Sequence, residues 1–432
     1  MEWLGHAKIK FTHSPSPINL QTKDGSKTDL LKICEESTPP CRLNPLLFNG
    51  HLQTCWTAIK NDGPPIYYKR RLFENEDPGF QGSFAVDFVV HEPYSETDDT
   101  LPIRTTYYTD EEFSGIASLD NRPMLVTLHG LSGGSYEIYL KHVLEPLVGA
   151  DHPSKWEACV INSRGCAKHK ITSSVLYNAR ATWDTRQMVK WLRKTFPNRP
   201  LFGIGFSLGA NILTTYVAEE GDACELKAAV VCSNPWNLDA SNIALQRTFL
   251  GREIYSKTMG SNMKRLIDLH REQLVKDHVF DLDRIQSIKY LHEFDRAIQT
   301  VAWGYPTEGA YYRDASSTDS LFAIRIPFFA INAEDDPIAA GECLPYEEVK
   351  QNPYTVLCTT SLGGHLSWFE IGGNRWHARP MLAVTKFMQC VNFLNKMAFE
   401  VQVDSIVPPS AEASANLTPP RPKFNPMARK WH

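Results

Sequence analysis

The chain predicts an α/β protein built on a mostly parallel, doubly covered sheet, and three features carry that reading. Apolar runs of strand length (Met124 to Leu128, Trp156 to Ile161, Leu201 to Phe206, Ala228 to Cys232, Ile326 to Asn332, Tyr354 to Thr359) lack polar alternation, as strands buried on both faces do. Amphipathic segments separate them, the clearest being Ala181 to Thr195 with Met188, Val189 and Leu192 at helical spacing. Several runs end in glycine-rich or turn-forming clusters that carry chemically active side chains, and the strand ends are where open α/β sheets place their sites. The 432 residues suit one large domain with an insertion and terminal extensions better than several small ones.

The turn Gly205-Phe206-Ser207-Leu208-Gly209 is the point around which the rest is arranged. In G-x-S-x-G the glycines supply positions without side chains where a strand meets a helix so closely that a Cβ would collide. Ser207 is expected there in a strained backbone conformation, with its Oγ exposed and a helix N-terminus beneath it. The pattern alone recurs by chance. Its weight comes from the apolar strand before it and the helix-compatible stretch Leu208 to Glu219 after it.

Composition narrows the function classes. With 42% hydrophobic and 22% charged residues and a formal net charge of −4, the chain has no electrostatic footprint for nucleic acid. No apolar stretch reaches the roughly 18 residues of a membrane span, so contact with a membrane or lipid droplet is expected to be peripheral. Ten cysteines without a C-x-x-C pair, and a start that lacks a basic region followed by an apolar run, predict an intracellular, cytoplasmic setting with cysteines used as small buried residues. No His, Asp and Glu cluster has ligand spacing, so no metal is implied, and no cofactor is expected.

Residues 1–40 are polar and read as an extension that lies on the core or stays partly mobile, 41–400 as the main domain, and 401–432 as a tail disordered by composition. The apolar segment Asn44 to Trp56 carries an Asn49-Gly50 turn, His51 and Gln53. A lone histidine in such a place is more often structural than catalytic. Phe84 to Val90 and Ile103 to Tyr108 suggest an antiparallel hairpin, with the acidic Ser95 to Thr100 as its loop. Met124 to Leu128 runs into His129-Gly130-Leu131-Ser132-Gly133-Gly134-Ser135, whose glycines free backbone N–H groups to point at a ligand. As a phosphate cradle this loop lacks the required spacing. As an oxyanion-hole loop it fits, with one N–H from Leu131 and one from Leu208, the residue after the nucleophile. Arg164, in the turn after the next strand, is expected to brace loops.

Between Asn237 and about Asp319 the pattern becomes helical and aromatic-rich (Phe249, Tyr255, Trp303, Tyr311, Tyr312), which marks a lid insertion over the strand ends. His278 and Asp283 within it stand at a spacing too common to carry weight. After it, the strand Ile326 to Asn332 leads into Asp335-Asp336-Pro337, where an orienting carboxylate belongs, and Asp336 is preferred to Asp335. The last strand leads into Gly363-Gly364-His365. Ser207, Asp336 and His365 thus follow one another in the order Ser, acid, His, each just past a strand. Residues 378–398 read as a closing helix.

With that triad, the loop His129 to Ser135, the turn Asn162 to Gly165 and the segment Asn49-Gly50-His51-Leu52-Gln53-Thr54 in view, the chain resembles the α/β-hydrolase-4 family over roughly residues 40 to 398. The branch it is similar to is that of the fungal medium-chain fatty acid ethyl ester synthase/esterases and monoacylglycerol lipases. The resemblance implies an α/β-hydrolase fold and a serine esterase or lipase that takes an acyl ester or acyl-CoA and can pass the acyl group to an alcohol acceptor. It also implies that His51 lies near the site. Two other readings stand beside it: an acyltransferase or thioesterase for one specific metabolite, and a non-catalytic ligand receptor on the same fold, against which the unbroken triad argues.

Overall fold

The unalternating apolar runs need both faces covered, and they obtain this by pairing edge to edge at the centre of a sheet that helices flank on both sides. The computed structural model describes residues 4–59, 63–91, 94, 98–149, 156–276, 280–378 and 389–403. Along the chain the strands are β1 (Ile9–His13), the small separate pair β2 (Asn19–Gln21) and β3 (Lys27–Asp29), β4 (Tyr67–Glu74), β5 (Ser83–Val90), β6 (Thr105–Tyr107), β7 (Met124–Leu128), β8 (Glu157–Asn162), β9 (Leu201–Phe206), β10 (Leu226–Cys232), β11 (Phe328–Ala333) and β12 (Thr355–Thr360). Ten of them form one sheet in the order β1-β12-β11-β10-β9-β7-β8-β5-β4-β6. The stretch β12-β11-β10-β9-β7-β8 is parallel throughout, while β1 and β5 join its two sides antiparallel.

Successive residues of each strand face opposite covers, which is why the runs are apolar at most positions without alternation. Val126 and Val231 meet the helices Trp183–Thr195 and Leu208–Glu220 through Met188, Leu192, Leu213 and Val217. Leu125, Ile204 and Val230 meet Ile138–Val148 and Gln389–Asn395 through Leu144 and Phe393. Each such side chain taken fully out of water contributes about 1.5–3 kcal/mol.

Two expectations are corrected. The hairpin partner of Ser83–Val90 is not the segment at 103–108 but β4, and β6 pairs with β4 in parallel. Apolar periodicity misses β4 because Lys69-Arg70-Arg71 interrupts it; the inward residue Arg70 is fully buried and sits opposite Asp87 in the register. The second correction concerns the N-terminal residues, which do more than cover the core. β1 completes the sheet edge, and Ile18, Leu20, Leu30, Ile33 and Cys34 are buried in it. The helix Leu30–Ser37 starts on an Asp29 side-chain cap and its end bonds to the C-terminal helix through Asn392 and Ser37. The signal was weak because these are short elements whose apolar residues are few and spread over three of them.

The segment between β10 and β11 is helical, as its period suggested, with Leu238–Arg247, Lys257–Leu274 and Glu308–Ala315 as its longer pieces and π-helical turns at Gly251–Ser256 and Asp295–Gln299. His278 lies outside the described residues, as do 379–388 of the closing helix, 95–97 of the acidic loop and the tail from 404. What is described of the closing helix is Gln389–Asn395, which continues as a π-helical turn, Lys396–Glu400.

An unpaired sheet edge is a template for other chains. Removing residues 1–13 therefore strips β12 of its outer partner and makes it the sheet edge, and the melting temperature is expected to fall by several degrees, with association growing at higher protein concentration. Scanning calorimetry and light scattering check this; an unchanged melting temperature in a monomeric truncation would contradict it.

Candidate active site

Each candidate side chain stands where a parallel strand ends. Past β9 the chain turns so tightly that a Cβ on Gly205 would lie 2.5 Å from the Gly209 carbonyl oxygen, and one on Gly209 2.5 Å from those of Leu128 and His129. Between them Ser207 adopts φ 51° and ψ −117°, the left-handed side of backbone space that a residue with a side chain avoids. The conformation is held from behind, where the Ser207 N–H donates to the Cys232 carbonyl at 2.9 Å.

Ser207 Oγ lies 2.8 Å from His365 Nε2, and His365 Nδ1 lies 2.8 Å from Asp336 Oδ2. A carboxylate at Nδ1 places the proton there, which leaves Nε2 as the acceptor for the serine hydroxyl. The other oxygen of Asp336 accepts from the N–H groups of Ile338 and Ala339 at 2.8 and 2.9 Å, so the carboxylate cannot swing away. Asp335 faces elsewhere. Its Oδ1 accepts from Gly364 N–H at 3.0 Å and fixes the loop that carries the histidine, its Oδ2 has no partner among the described residues, and burial pushes its carboxyl up to about 6. The His365 N–H donates to Thr54 Oγ1 at 2.9 Å, so the helix Gly50–Ile59 supports the same loop. His51 of that helix stacks on Tyr255 of the insertion, centroids 5.7 Å apart, with Nδ1 3.0 Å from the phenol oxygen.

Leu208 is the first residue of its helix, so its N–H has no acceptor one turn back. Leu208 and Leu131 line, with Ser207, a cavity of about 100 Å³ whose opposite wall comes from the insertion through Leu245, Met259 and Met263. The loop that carries Leu131 is held at several points. Gly130 N–H donates to Tyr139 Oη at 2.9 Å, Ser132 N–H to Tyr177 Oη at 3.2 Å, and Ser135 N–H to Asn162 Oδ1 at 3.0 Å. His129 Nε2 accepts from Ser163 N–H at 3.0 Å, so its Nδ1–H donates to the Gly130 carbonyl at 2.6 Å. Burial pushes the His129 pKa down to about 4, which keeps this tie neutral at ordinary pH.

Beneath the loop, Asp87 takes a two-pronged bond from Arg70 at 2.6 and 2.8 Å and further bonds from Ser135 Oγ and Asn162 Nδ2 at 2.6 and 2.9 Å. Arg164 does brace loops: it grips Asp184 at 2.7 and 2.8 Å and donates to the carbonyls of Phe80 and Gln81. Tyr139, Tyr177, Arg70 and Asp87 are functional supports that sequence reasoning misses, since a support at long sequence separation leaves no local pattern; the arginine that interrupts β4 is the one available signal.

Residues 123–365, more than half of the chain, match the family described as alpha/beta hydrolase fold. The chain belongs to it. A monoacylglycerol lipase of Saccharomyces cerevisiae is 36% identical to this α/β-hydrolase over 362 residues, covering 79% of each chain. The medium-chain fatty acid ethyl ester synthase/esterase 2 of the same yeast is 30% identical over 394 residues, covering 81% of this hydrolase and 86% of its own length. Both fall in the branch that the sequence resembles. Among solved structures, an esterase of Pyrococcus furiosus aligns at 16% identity and a TM-score of 0.41, covering 70% of this chain and 84% of its own. Among the described residues of the hydrolase no group of His, Cys, Asp and Glu could hold a metal ion, and no helix is long and apolar enough to cross a membrane.

Breaking a buried ion pair by removing one partner costs about 3–5 kcal/mol because the other charge stays buried. Arg70→Met should therefore lower the free energy of unfolding by that amount in urea titrations. A loss below about 1 kcal/mol would mean that Ser135 and Asn162 satisfy Asp87 without the arginine.

Proposed function

We propose that this chain is a serine carboxylic ester hydrolase that acts on medium-chain acyl esters through an acyl-enzyme. The observation that carries the reading is the continuous line Ser207 Oγ, His365 Nε2, His365 Nδ1, Asp336 Oδ2, with 2.8 Å at both hydrogen bonds, at the foot of an apolar cavity. Ser207 attacks the ester carbonyl while His365 takes its proton and passes it to the leaving alcohol. Asp336 holds the imidazole tautomer and balances its charge. The amides of Leu131 and Leu208 receive the oxyanion, a contribution of about 10² to 10³ in rate for each donor. The insertion acts as a lid whose side chains form the far wall of the acyl cavity, and exposed Leu46, Phe48, Phe249 and Ile254 suit peripheral contact with a membrane or lipid droplet.

Acyl transfer to an alcohol is the second half of the proposal. It is supported by the apolar, partly enclosed cavity and by the printed name of the yeast synthase/esterase. Hydrolysis and transfer share one intermediate, and a bound alcohol competes with water because positioning contributes up to about 7–11 kcal/mol in well-oriented cases.

A fluorophosphonate probe should label the protein stoichiometrically, and Ser207→Ala should abolish the label. Asp336→Asn should lower kcat by several orders of magnitude, as an acid-to-amide change in a triad can, while Asp335→Asn loses about tenfold or less. Labelling that survives Ser207→Ala, or the reverse ranking of the two aspartates, would overturn the assignment.

Ethanol below about 1 M should divert a measurable share of acyl product into ethyl ester, quantified by gas chromatography. Free acid as the sole product at every ethanol concentration would leave an esterase without transfer.

A further inference from the structure

The cavity wall opposite the serine is not uniformly apolar. Asp295 and Gln299, the first and last residues of the π-helical turn Asp295–Gln299, both line it. Residues four apart share one face of a helix, and π turns are rare and frequent at functional sites. Both side chains are more than nine-tenths buried, at 6% and 2% exposure.

The bonds they make leave acceptor capacity over. Gln299 donates its Nε2–H to the Tyr177 carbonyl at 3.2 Å, which orients the amide, and its Oε1 is buried with no partner among the described residues. Asp295 accepts from Tyr312 Oη at 2.6 Å. The neighbouring Arg296 is turned to Glu308, at 2.7 Å, and does not neutralise it. Burial pushes the Asp295 carboxyl up to about 7, so at neutral pH it is available in both its accepting and its donating form. Tyr177 connects this pair to the chemistry, since its carbonyl holds Gln299 while its hydroxyl holds the Ser132 N–H of the oxyanion loop. The polar pair thus lines the same cavity as Ser207 and is tied through Tyr177 to the loop that carries Leu131. An unpartnered buried acceptor costs about 1–3 kcal/mol, and an alkyl chain laid against it cannot recover that.

We infer that Gln299 and Asp295 form a subsite for a free aliphatic hydroxyl carried by the ester substrate. The inference rests on the hydrolase reading above and names a substrate class for it: an ester with a hydroxyl within reach of its carbonyl, either on the alcohol part, as in a polyol monoester, or on the acyl chain. The hydroxyl donates to Gln299 Oε1 and exchanges a second hydrogen bond with the Asp295 carboxyl. An ethyl ester of the same acyl length leaves both unmet.

The test compares kcat/KM for 1-monooctanoylglycerol with that for ethyl octanoate, and for a hydroxyoctanoate ethyl ester with the same reference. One hydroxylated ester is expected to be preferred by about tenfold or more, the worth of one well-made hydrogen bond to a buried group. In Gln299→Met that preference should collapse towards one, and the arm in which it does so identifies the part of the substrate that carries the hydroxyl. Asp295→Asn is read in the same way should the methionine variant fail to fold by circular dichroism. A non-hydrolysable pair, 1-O-octylglycerol and octyl ethyl ether, is compared by thermal shift on wild type, so that loss of the hydrolase reading does not remove the readout. No preference in either ester arm together with equal shifts from the two ethers, or preferences that both variants retain, would overturn the subsite and leave a resident water as the partner of Gln299.

Discussion

The close approach of β9 to the helix that follows it governs the rest of the site. With hydrogen atoms in place of side chains at Gly205 and Gly209, the helix backs onto the ends of β7 and β9, and the turn between strand and helix has no room for an ordinary backbone path. Ser207 takes the left-handed conformation as a result. Strain of this kind costs about 1–3 kcal/mol and persists only where the surroundings over-determine it. Here they do so through the Cys232 carbonyl behind the serine and through a core in which β9 and the helix are buried almost throughout. The same geometry that strains the backbone points Oγ away from the sheet and leaves the first N–H of the helix unpaired beside it.

Strain at one residue is useful only if its partners are equally fixed, and the partners come from strands and loops far apart in the chain. The fold answers with buried polar braces in place of apolar packing. Asp87 collects Arg70, Ser135 and Asn162, Arg164 grips Asp184, and neutral His129 spans two neighbouring strand ends. Directional bonds suit this task because a loop backbone must sit at a defined distance from its neighbour, whereas apolar contacts tolerate sliding. The cost is that each brace must be complete, since a half-made one leaves a desolvated charge.

These two layers differ in how far the sequence discloses them. The parallel strands and the order of Ser207, Asp336 and His365 are legible because burial on both faces removes polar residues in unbroken runs, and because glycine punctuates the turns that follow. The difference between Asp335 and Asp336 is encoded only partly near the pair. The turn that ties Asp336 to the N–H groups of Ile338 and Ala339 is local, whereas Gly364, which holds Asp335, and His365, which meets Asp336, arrive only in the folded chain. β4 stays hidden for a related reason: a buried arginine looks like an exposed one until its aspartate, on the adjacent strand, is known. β1 escapes because an edge strand needs little apolar character to pair.

The insertion joins the two layers. Its helices bury Met263, Leu266, Phe294 and Ile298 against the same core that supports the elbow, so its inner face is positioned by apolar packing. Its outer attachment is polar and aromatic, through Tyr255 on His51. A segment anchored in this way walls the cavity opposite Ser207 with Leu245, Met259 and Met263, and apolar walls lower the local dielectric, which strengthens any hydrogen bond made inside. The same low dielectric makes an unsatisfied polar atom in the wall expensive. Gln299 and Asp295 are therefore not incidental to a greasy lining. Their open acceptors call for a polar partner in the cavity, which the proposed subsite supplies as a hydroxyl of the substrate.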